Sequence, residues 1–68
     1  MYIIREFNLI GGKMDFQYVS SAESKNGYFL LGYDSKKEYA LDLSPYQERR
    51  AIAQLKLVGC KYKTFEVI

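Results

Sequence analysis

The sequence predicts a small α+β fold in which an antiparallel sheet carries one helix on one face. Two local signals favour it: an Asn26-Gly27 pair lies between two strand-like segments, and Ser44-Pro45 opens a segment with helical periodicity. The third observation is size, because 68 residues, of which 49% are hydrophobic, can enclose one core and not two. We therefore expect residues 1–68 to form a single domain with the element order β-β-β-β-α-β.

The first strand is predicted over residues 2–10, where β-branched and aromatic residues dominate. Its predicted apolar face holds Ile3, Phe7 and Leu9. Gly11-Gly12-Lys13 then interrupts the pattern, and the two glycines can supply the positive φ angles of a tight connection.

The Asn26-Gly27 pair predicts a two-residue type I′ turn between a strand at 14–23 and a strand at 28–33. Such a turn opposes Ala22 to Leu31 and Ser20 to Tyr33, and opposed residues point to the same side of a sheet. The predicted apolar face of this hairpin therefore contains Phe16, Tyr18, Ala22, Phe29, Leu31 and Tyr33.

A further strand is predicted over Glu38–Leu43, after a three-residue loop at 35–37. Apolar and polar residues alternate along this segment, as in a half-buried strand. The register of the loop places Leu31 beside Leu41 and Tyr33 beside Tyr39, so the three central strands form a meander with one apolar side.

The helix is predicted to run from Pro45 to about Val58. Ser44 and Gln47 have the spacing of a capping box, and proline fits the first helical position. Gly59 offers the left-handed exit that commonly ends a helix. The last strand, over residues 60–68, changes its apolar parity, which favours a bulge or an edge position.

The predicted helix carries two apolar stripes. The stripe that faces the sheet is expected to contain Ala51, Ile52, Leu55 and Val58. A second stripe, of Tyr46, Ala53 and Leu57 with Arg50 at its border, lies on nearly the opposite side. These residues are either scattered surface apolar groups, which are common, or a contact surface of the composition that binding patches favour.

Composition excludes most catalytic and metal chemistry. The sequence has no histidine and one cysteine, so it can build neither a Ser-His-Asp or Cys-His arrangement nor a Cys/His metal cluster. The eight carboxylates form no recognisable pair in an apolar setting. Gly11-Gly12-Lys13 lacks the spacing and the following Ser or Thr of a phosphate-binding loop. We expect no enzyme activity, no cofactor and no metal site.

Cys60 has no disulfide partner within the chain, which fits a reducing compartment. The apolar start at residues 1–4 is interrupted by Arg5-Glu6 and is too short for a signal peptide. No apolar run approaches the roughly 20 residues of a membrane span. We therefore expect a cytoplasmic protein with no membrane partner, in which Cys60 serves as a small hydrophobic residue.

The charge distribution leaves two partner classes open. The net charge is +2, and residues 35–68 carry seven basic and four acidic side chains, hence +3. Tyrosines interleave with these basic residues, so a nucleic-acid surface is one interpretation, and ordinary solvated lysines are the other. The nucleic-acid interpretation would use Lys36, Lys37, Arg49, Lys56, Lys61 and Lys63.

The leading hypothesis is a non-catalytic module that binds a protein partner, occludes or bridges it, and self-associates through the second helix stripe. A core of this size yields little net stability, which favours association. By analogy alone, such chains include inhibitors, adaptors and phage accessory proteins. The expected contact residues are Tyr46, Arg50, Ala53 and Leu57, and a second expected surface is the non-core face of the hairpin, with Tyr28 and Leu30. An edge position of the last strand would offer a third means of contact.

Overall fold

A computed structural model describes residues 1–8, 11–12 and 14–67. The elements are β1 (Tyr2–Asn8), β2 (Met14–Lys25), β3 (Tyr28–Asp34), a 3₁₀ turn (Lys37–Tyr39), α1 (Pro45–Leu57) and β4 (Tyr62–Phe65). The four strands form an antiparallel sheet in the order β3-β2-β1-β4, and α1 packs on one of its faces. This arrangement confirms the predicted α+β class.

Parts of three predicted elements lie outside the described residues. They are the end of the first strand at Leu9 and Ile10, Lys13 of the glycine connection, and Ile68 of the last strand. Gly11 and Gly12 of that connection have φ angles of 100° and 82°, as a tight turn requires.

The predicted hairpin turn is confirmed. Asn26 and Gly27 have φ angles of 51° and 80°, the two positive values that define a type I′ turn. The register beside the turn is also the predicted one, because Ala22 pairs with Leu31.

The predicted apolar face of β2 is wrong on the N-terminal side of Ser20, and Tyr33 pairs with Val19 rather than with Ser20 as predicted. The pairing steps from Val19↔Tyr33 to Ser21↔Gly32, so β2 advances by two residues while β3 advances by one. This β-bulge reverses the parity of β2, because side chains alternate between faces with a period of two. Ala22 and Val19 therefore lie on the helix side, with Leu31 and Tyr33.

Phe16 and Tyr18 consequently point away from α1. Tyr18 pairs with Ile4 and Phe16 pairs with Glu6 on β1, one position out of step with the fully buried Ile3. The rings predicted for the core are thus placed on the face of the sheet that the helix does not cover.

The strand predicted over Glu38–Leu43 does not form. The chain leaves β3 through the 3₁₀ turn and then runs extended beneath the sheet. The Leu41 amide donates to the Val19 carbonyl at 2.9 Å, and the Leu43 amide donates to the Met1 carbonyl at 2.7 Å. Leu43 is buried. The alternation of apolar and polar residues over Glu38–Leu43 therefore reflects burial in an extended segment rather than pairing in the sheet. Leu31 and Tyr33 therefore do not pair with residues 41 and 39.

Helix α1 begins and ends as the sequence predicts. The Ser44 hydroxyl accepts from the Gln47 amide at 3.2 Å, and the Gln47 side chain accepts from the Ser44 amide at 3.0 Å. At the other end Gly59 has a φ of 71°, and the Cys60 amide donates to the Leu55 carbonyl at 2.9 Å. These contacts form a capping box and a Schellman ending.

The core is small and lies between α1 and one face of the sheet. The buried hydrophobic residues in the described part of the chain are Ile3, Val19, Phe29, Leu43, Ala51 and Leu55. Ile52 is half-buried against them as predicted, but Val58 is exposed and does not belong to the packed stripe. The error arises because Val58 is the C-cap and the chain turns away there.

Strand β4 is an edge strand that pairs antiparallel with β1, in agreement with the predicted edge position. Cys60 precedes it and packs partly against the core as a free thiol. Its Sγ donates to the Glu6 carbonyl at 3.2 Å, which ties the approach to β4 to the central strand.

A cation lies over the helix-side face of the sheet. The Arg5 guanidinium sits 3.4 Å from the centroid of the Tyr33 ring and donates to the Gln17 side chain at 2.7 Å. Burial raises the pKa of Tyr33 above its ordinary value of 10.0, and the Arg5 charge lowers it by a smaller amount. The neutral phenol is therefore the form that the folded protein favours.

We predict that Asn26→Pro destabilises the protein by more than about 1 kcal/mol. Proline fixes φ near −65°, whereas the turn requires φ of 51° at this position. Thermal unfolding followed by circular dichroism measures the effect. Asn26→Gly is the matched control, because glycine accepts positive φ, and it should unfold within a few degrees of the wild type. An unchanged melting temperature for the proline variant would contradict the turn.

We predict that stability falls as the pH rises above about 10, in part because of Tyr33. The unfolded tyrosine releases its proton first, since its pKa is lower than that of the folded state. The contribution of Tyr33 to stability is thus complete below the pKa of the unfolded state, and it is lost as the pH rises through the pKa of the folded state. Urea titrations between about pH 8 and 11 should give a shallower decline for Tyr33→Phe than for the wild type. An equal decline of stability with pH in the two proteins would contradict a raised pKa of Tyr33 in the folded state.

Candidate functional site

An open groove of about 560 Å³ runs between α1 and β3. Its volume lies within the range of about 300–1,000 Å³ that ligand pockets occupy. We call it the α1–β3 groove. It is lined by Gly27, Tyr28, Phe29, Leu30, Arg50, Ala53, Gln54, Leu57 and Val58.

One wall of the groove is the outer strand of the sheet. Strand β3 stands at the end of the strand order and pairs only with β2 in the sheet. Within residues 1–8, 11–12 and 14–67, no turn, loop or cap forms a backbone hydrogen bond to Tyr28–Asp34. The edge is open because the chain after Asp34 enters the 3₁₀ turn instead of returning alongside β3. An open edge presents unpaired amide and carbonyl groups that can pair with another chain.

The opposite wall is the exposed side of α1. Leu57 is 86% exposed, whereas Leu55, two residues earlier, is 1% exposed. This difference follows from helical geometry, because the two side chains point to sides of the helix about 160° apart. Val58 and Ala53 extend the same apolar wall, so the helix presents one stripe to the core and another to solvent.

Arg50 supplies the charge of the groove. Its guanidinium carbon lies 5.1 Å from the centroid of the buried Phe29 ring and 5.9 Å from that of Tyr46. Nη1 donates to the Tyr46 hydroxyl at 3.2 Å. Among the described residues the single ion pair joins the Met1 amino group to Asp42, so Arg50 is held by rings and has no carboxylate partner there.

The residues predicted to contact a protein partner come together in this groove. Two surfaces were expected, one on the helix and one on the hairpin, and the fold brings both to the rim of the groove. Tyr28 and Leu30 alternate with the buried Phe29, so their side chains point to the face of the sheet away from α1. Arg50, Ala53, Leu57, Tyr28 and Leu30 all line the groove. Tyr46 does not line the groove; it lies one helical turn before Arg50, accepts a hydrogen bond from its guanidinium and is exposed.

The basic residues of the nucleic-acid interpretation do not converge in the same way. Lys36 and Lys37 lie at the 3₁₀ turn, and Arg49 and Lys56 are exposed on α1. Lys63 pairs with Ile4 on the face of the sheet that faces away from the helix, and Lys61 stands beside Glu6 just before β4. The six positive charges are thus distributed over both sides of the molecule.

A second apolar surface was missed in the sequence. We call it the open sheet face, and it is a hollow of about 300 Å³. It is lined by Ile4, Glu6, Phe16, Tyr18, Lys63 and Phe65. The available signal was the continuous apolar run Tyr2-Ile3-Ile4, because an apolar run without alternation is typical of a strand that is covered on both faces.

Neither surface brings together groups that suggest metal or acid–base chemistry. Among the described residues, no three His, Cys, Asp or Glu side chains are placed to hold a metal ion. The residues that line the α1–β3 groove include no carboxylate. Across residues 1–8, 11–12 and 14–67, no helix has both the length and the hydropathy needed to cross a membrane.

No protein-family model, curated protein or solved structure matches this chain.

We predict that Leu57 contributes little to stability despite its size. Leu57→Ser should change the free energy of unfolding by less than about 0.5 kcal/mol, because the side chain is 86% exposed. Leu55→Ala, in the same helix, should cost about 2–5 kcal/mol, because it removes buried methyl groups. Urea titrations of both variants measure the difference. A loss of more than about 1 kcal/mol in Leu57→Ser would show that Leu57 packs within the protomer.

Proposed function

We propose that this protein is a non-catalytic module that binds an extended segment of a protein partner in the α1–β3 groove. The observation that carries the proposal is the open edge of β3 directly beside an exposed apolar helix wall. Such an edge binds a peptide as an additional strand, with the main chain supplying affinity and pockets for alternate side chains supplying specificity.

The dimensions of the site support a short peptide. Strand β3 has seven residues, which corresponds to about 23 Å of edge. Side chains of an added strand alternate between the two faces, so every second residue of the peptide would point toward the helix wall. Leu57 and Ala53 provide apolar surface for these residues. The ligand is therefore a segment in which apolar residues recur at every second position.

Arg50 supports a further property of the ligand. Its positive charge lies in the groove without a carboxylate among the described residues. A guanidinium forms strong, often bidentate hydrogen bonds with a carboxylate. The partner segment therefore carries an Asp or Glu side chain or a terminal carboxylate near Arg50, and Tyr46 holds the guanidinium in place for it.

The biological effect would follow from occupation of the partner segment. A partner strand held on β3 is withheld from its other contacts, so a small protein can occlude a site. A protein that presents more than one such edge can bridge two partners. We place this activity in the cytoplasm, because Cys60 is a free thiol and such thiols persist in reducing compartments.

The nucleic-acid alternative receives less support from the fold. Its six basic residues lie on both sides of the molecule, as described above, whereas phosphate binding needs a continuous basic track. It remains a prediction, and salt dependence distinguishes it, because phosphate contacts weaken steeply as salt rises.

We predict that random linear peptides displayed on phage and selected on the protein converge on alternating apolar residues with one carboxylate. Arg50→Glu should weaken binding of a selected peptide by about tenfold or more, as measured by calorimetry. Arg49→Glu makes the same charge change at the neighbouring exposed position, outside the groove lining, and should retain the affinity within about twofold.

Backbone pairing has its own control. Methylation of the peptide nitrogens that face β3 removes hydrogen bonds, whereas methylation of the nitrogens that face solvent does not. Only methylation of the nitrogens that face β3 should abolish binding. Equal losses for Arg49→Glu and Arg50→Glu, or equal effects of both methylation patterns, would contradict the proposal.

A further inference from the structure

We infer that the open sheet face is the surface through which two copies of this chain associate. Both faces of β1 carry apolar residues, since Ile3 is fully buried beneath the helix and Ile4 lines the hollow on the other side. Apolar side chains on both faces of β1 favour cover on both faces, because burial of apolar surface is favourable. Helix α1 covers only one of them.

The exposed rings make this face unsuited to water. Phe16 is 51% exposed and Phe65 is 38% exposed. Tyr2 extends the surface, because its ring stacks on that of Phe65 with 5.2 Å between centroids and approaches that of Tyr18 at 6.1 Å. A contiguous aromatic patch of this kind marks an interaction surface on a soluble protein.

The charges on this face fit a second copy. Glu6 and Lys63 both line the hollow, yet they form no ion pair in the described structure, where Met1 and Asp42 form the only one. In a two-fold symmetric contact each residue of one protomer meets the complementary residue of the other. Glu6 of each copy can then pair with Lys63 of its partner. The lining has no net charge, which disfavours a polyanionic ligand such as nucleic acid.

The area of the molecule supports the same occupant. The accessible surface is 5119 Å², whereas a monomer of 7.9 kDa is expected to expose about 4,400 Å². The excess of about 700 Å² is spread over the whole molecule, and it is similar in size to the roughly 800 Å² that each partner buries in a standard interface. The Cα atoms also span only 16 Å in the thinnest direction. Face-to-face packing of two sheets about 10 Å apart would supply the missing layer.

Sedimentation of the full chain between about 1 and 500 µM tests the inference, because self-association depends on protomer concentration. The wild type should form a dimer, and Phe16→Glu should weaken it by about tenfold or more while it retains the circular dichroism spectrum of the wild type. Leu57→Ser, in the α1–β3 groove, is the matched control and should dimerise as the wild type does.

Charge reversal provides a second test that does not depend on Phe16. Glu6→Lys and Lys63→Glu should each associate weakly alone, because like charges then meet across the interface. An equimolar mixture should form a heterodimer, because both pairs across the interface are then attractive. A monomeric wild type, a dimer broken only by Leu57→Ser, or a mixture no tighter than its components would overturn the inference.

These outcomes are separate from the peptide-binding proposal. A Phe16→Glu monomer should bind the selected peptides as well as the wild type does, since the α1–β3 groove contains neither Phe16 nor Glu6. A negative dimerisation test therefore does not contradict peptide binding, and a negative peptide-binding test does not contradict dimerisation.

Discussion

The extra residue in β2 between Val19 and Ser21 decides which side chains each face of the sheet presents. Side chains alternate between faces with a period of two. One inserted residue therefore places the even-numbered side chains of the two halves of β2 on opposite faces of the sheet. The half near the turn contributes Ala22 to the helix side, whereas the half near the start directs its rings, Phe16 and Tyr18, to the other side. The core and the open sheet face are thus both consequences of one backbone irregularity.

The two candidate surfaces use different parts of the sheet. The α1–β3 groove is at one edge, whereas the open sheet face is centred on β1, two strands away. Association through the second surface would leave both grooves of a dimer accessible and would make the assembly bivalent. Two linked sites raise the apparent affinity for a partner that carries two segments, without any new contact. This arrangement would suit a protein that bridges its targets.

Local signals in the sequence predicted the fold better than long-range ones. The Asn26-Gly27 turn and the Ser44 cap depend on a few adjacent residues, and both are present. The strand over 38–43 was wrong because an extended buried segment has the same alternation as a paired strand. The bulge left a signal in Gly32, which lies inside β3 opposite Ser21, where a Cβ would collide with the serine hydroxyl; an isolated glycine in a strand often accompanies a bulge. The walls of the α1–β3 groove were predicted separately, but their juxtaposition depends on the open β3 edge, which no local pattern encodes.

The pairing of β1 with β4 has a mechanical consequence. Tyr2 lies opposite Phe65, so the two ends of the chain emerge at the same end of one antiparallel ladder. A pulling force applied through both ends would break the β1–β4 hydrogen bonds one at a time, as a zip opens, rather than load them all together. Strand β4 has only four residues, and its removal would uncover the central strand. A force applied between the two ends would therefore meet little resistance at this strand.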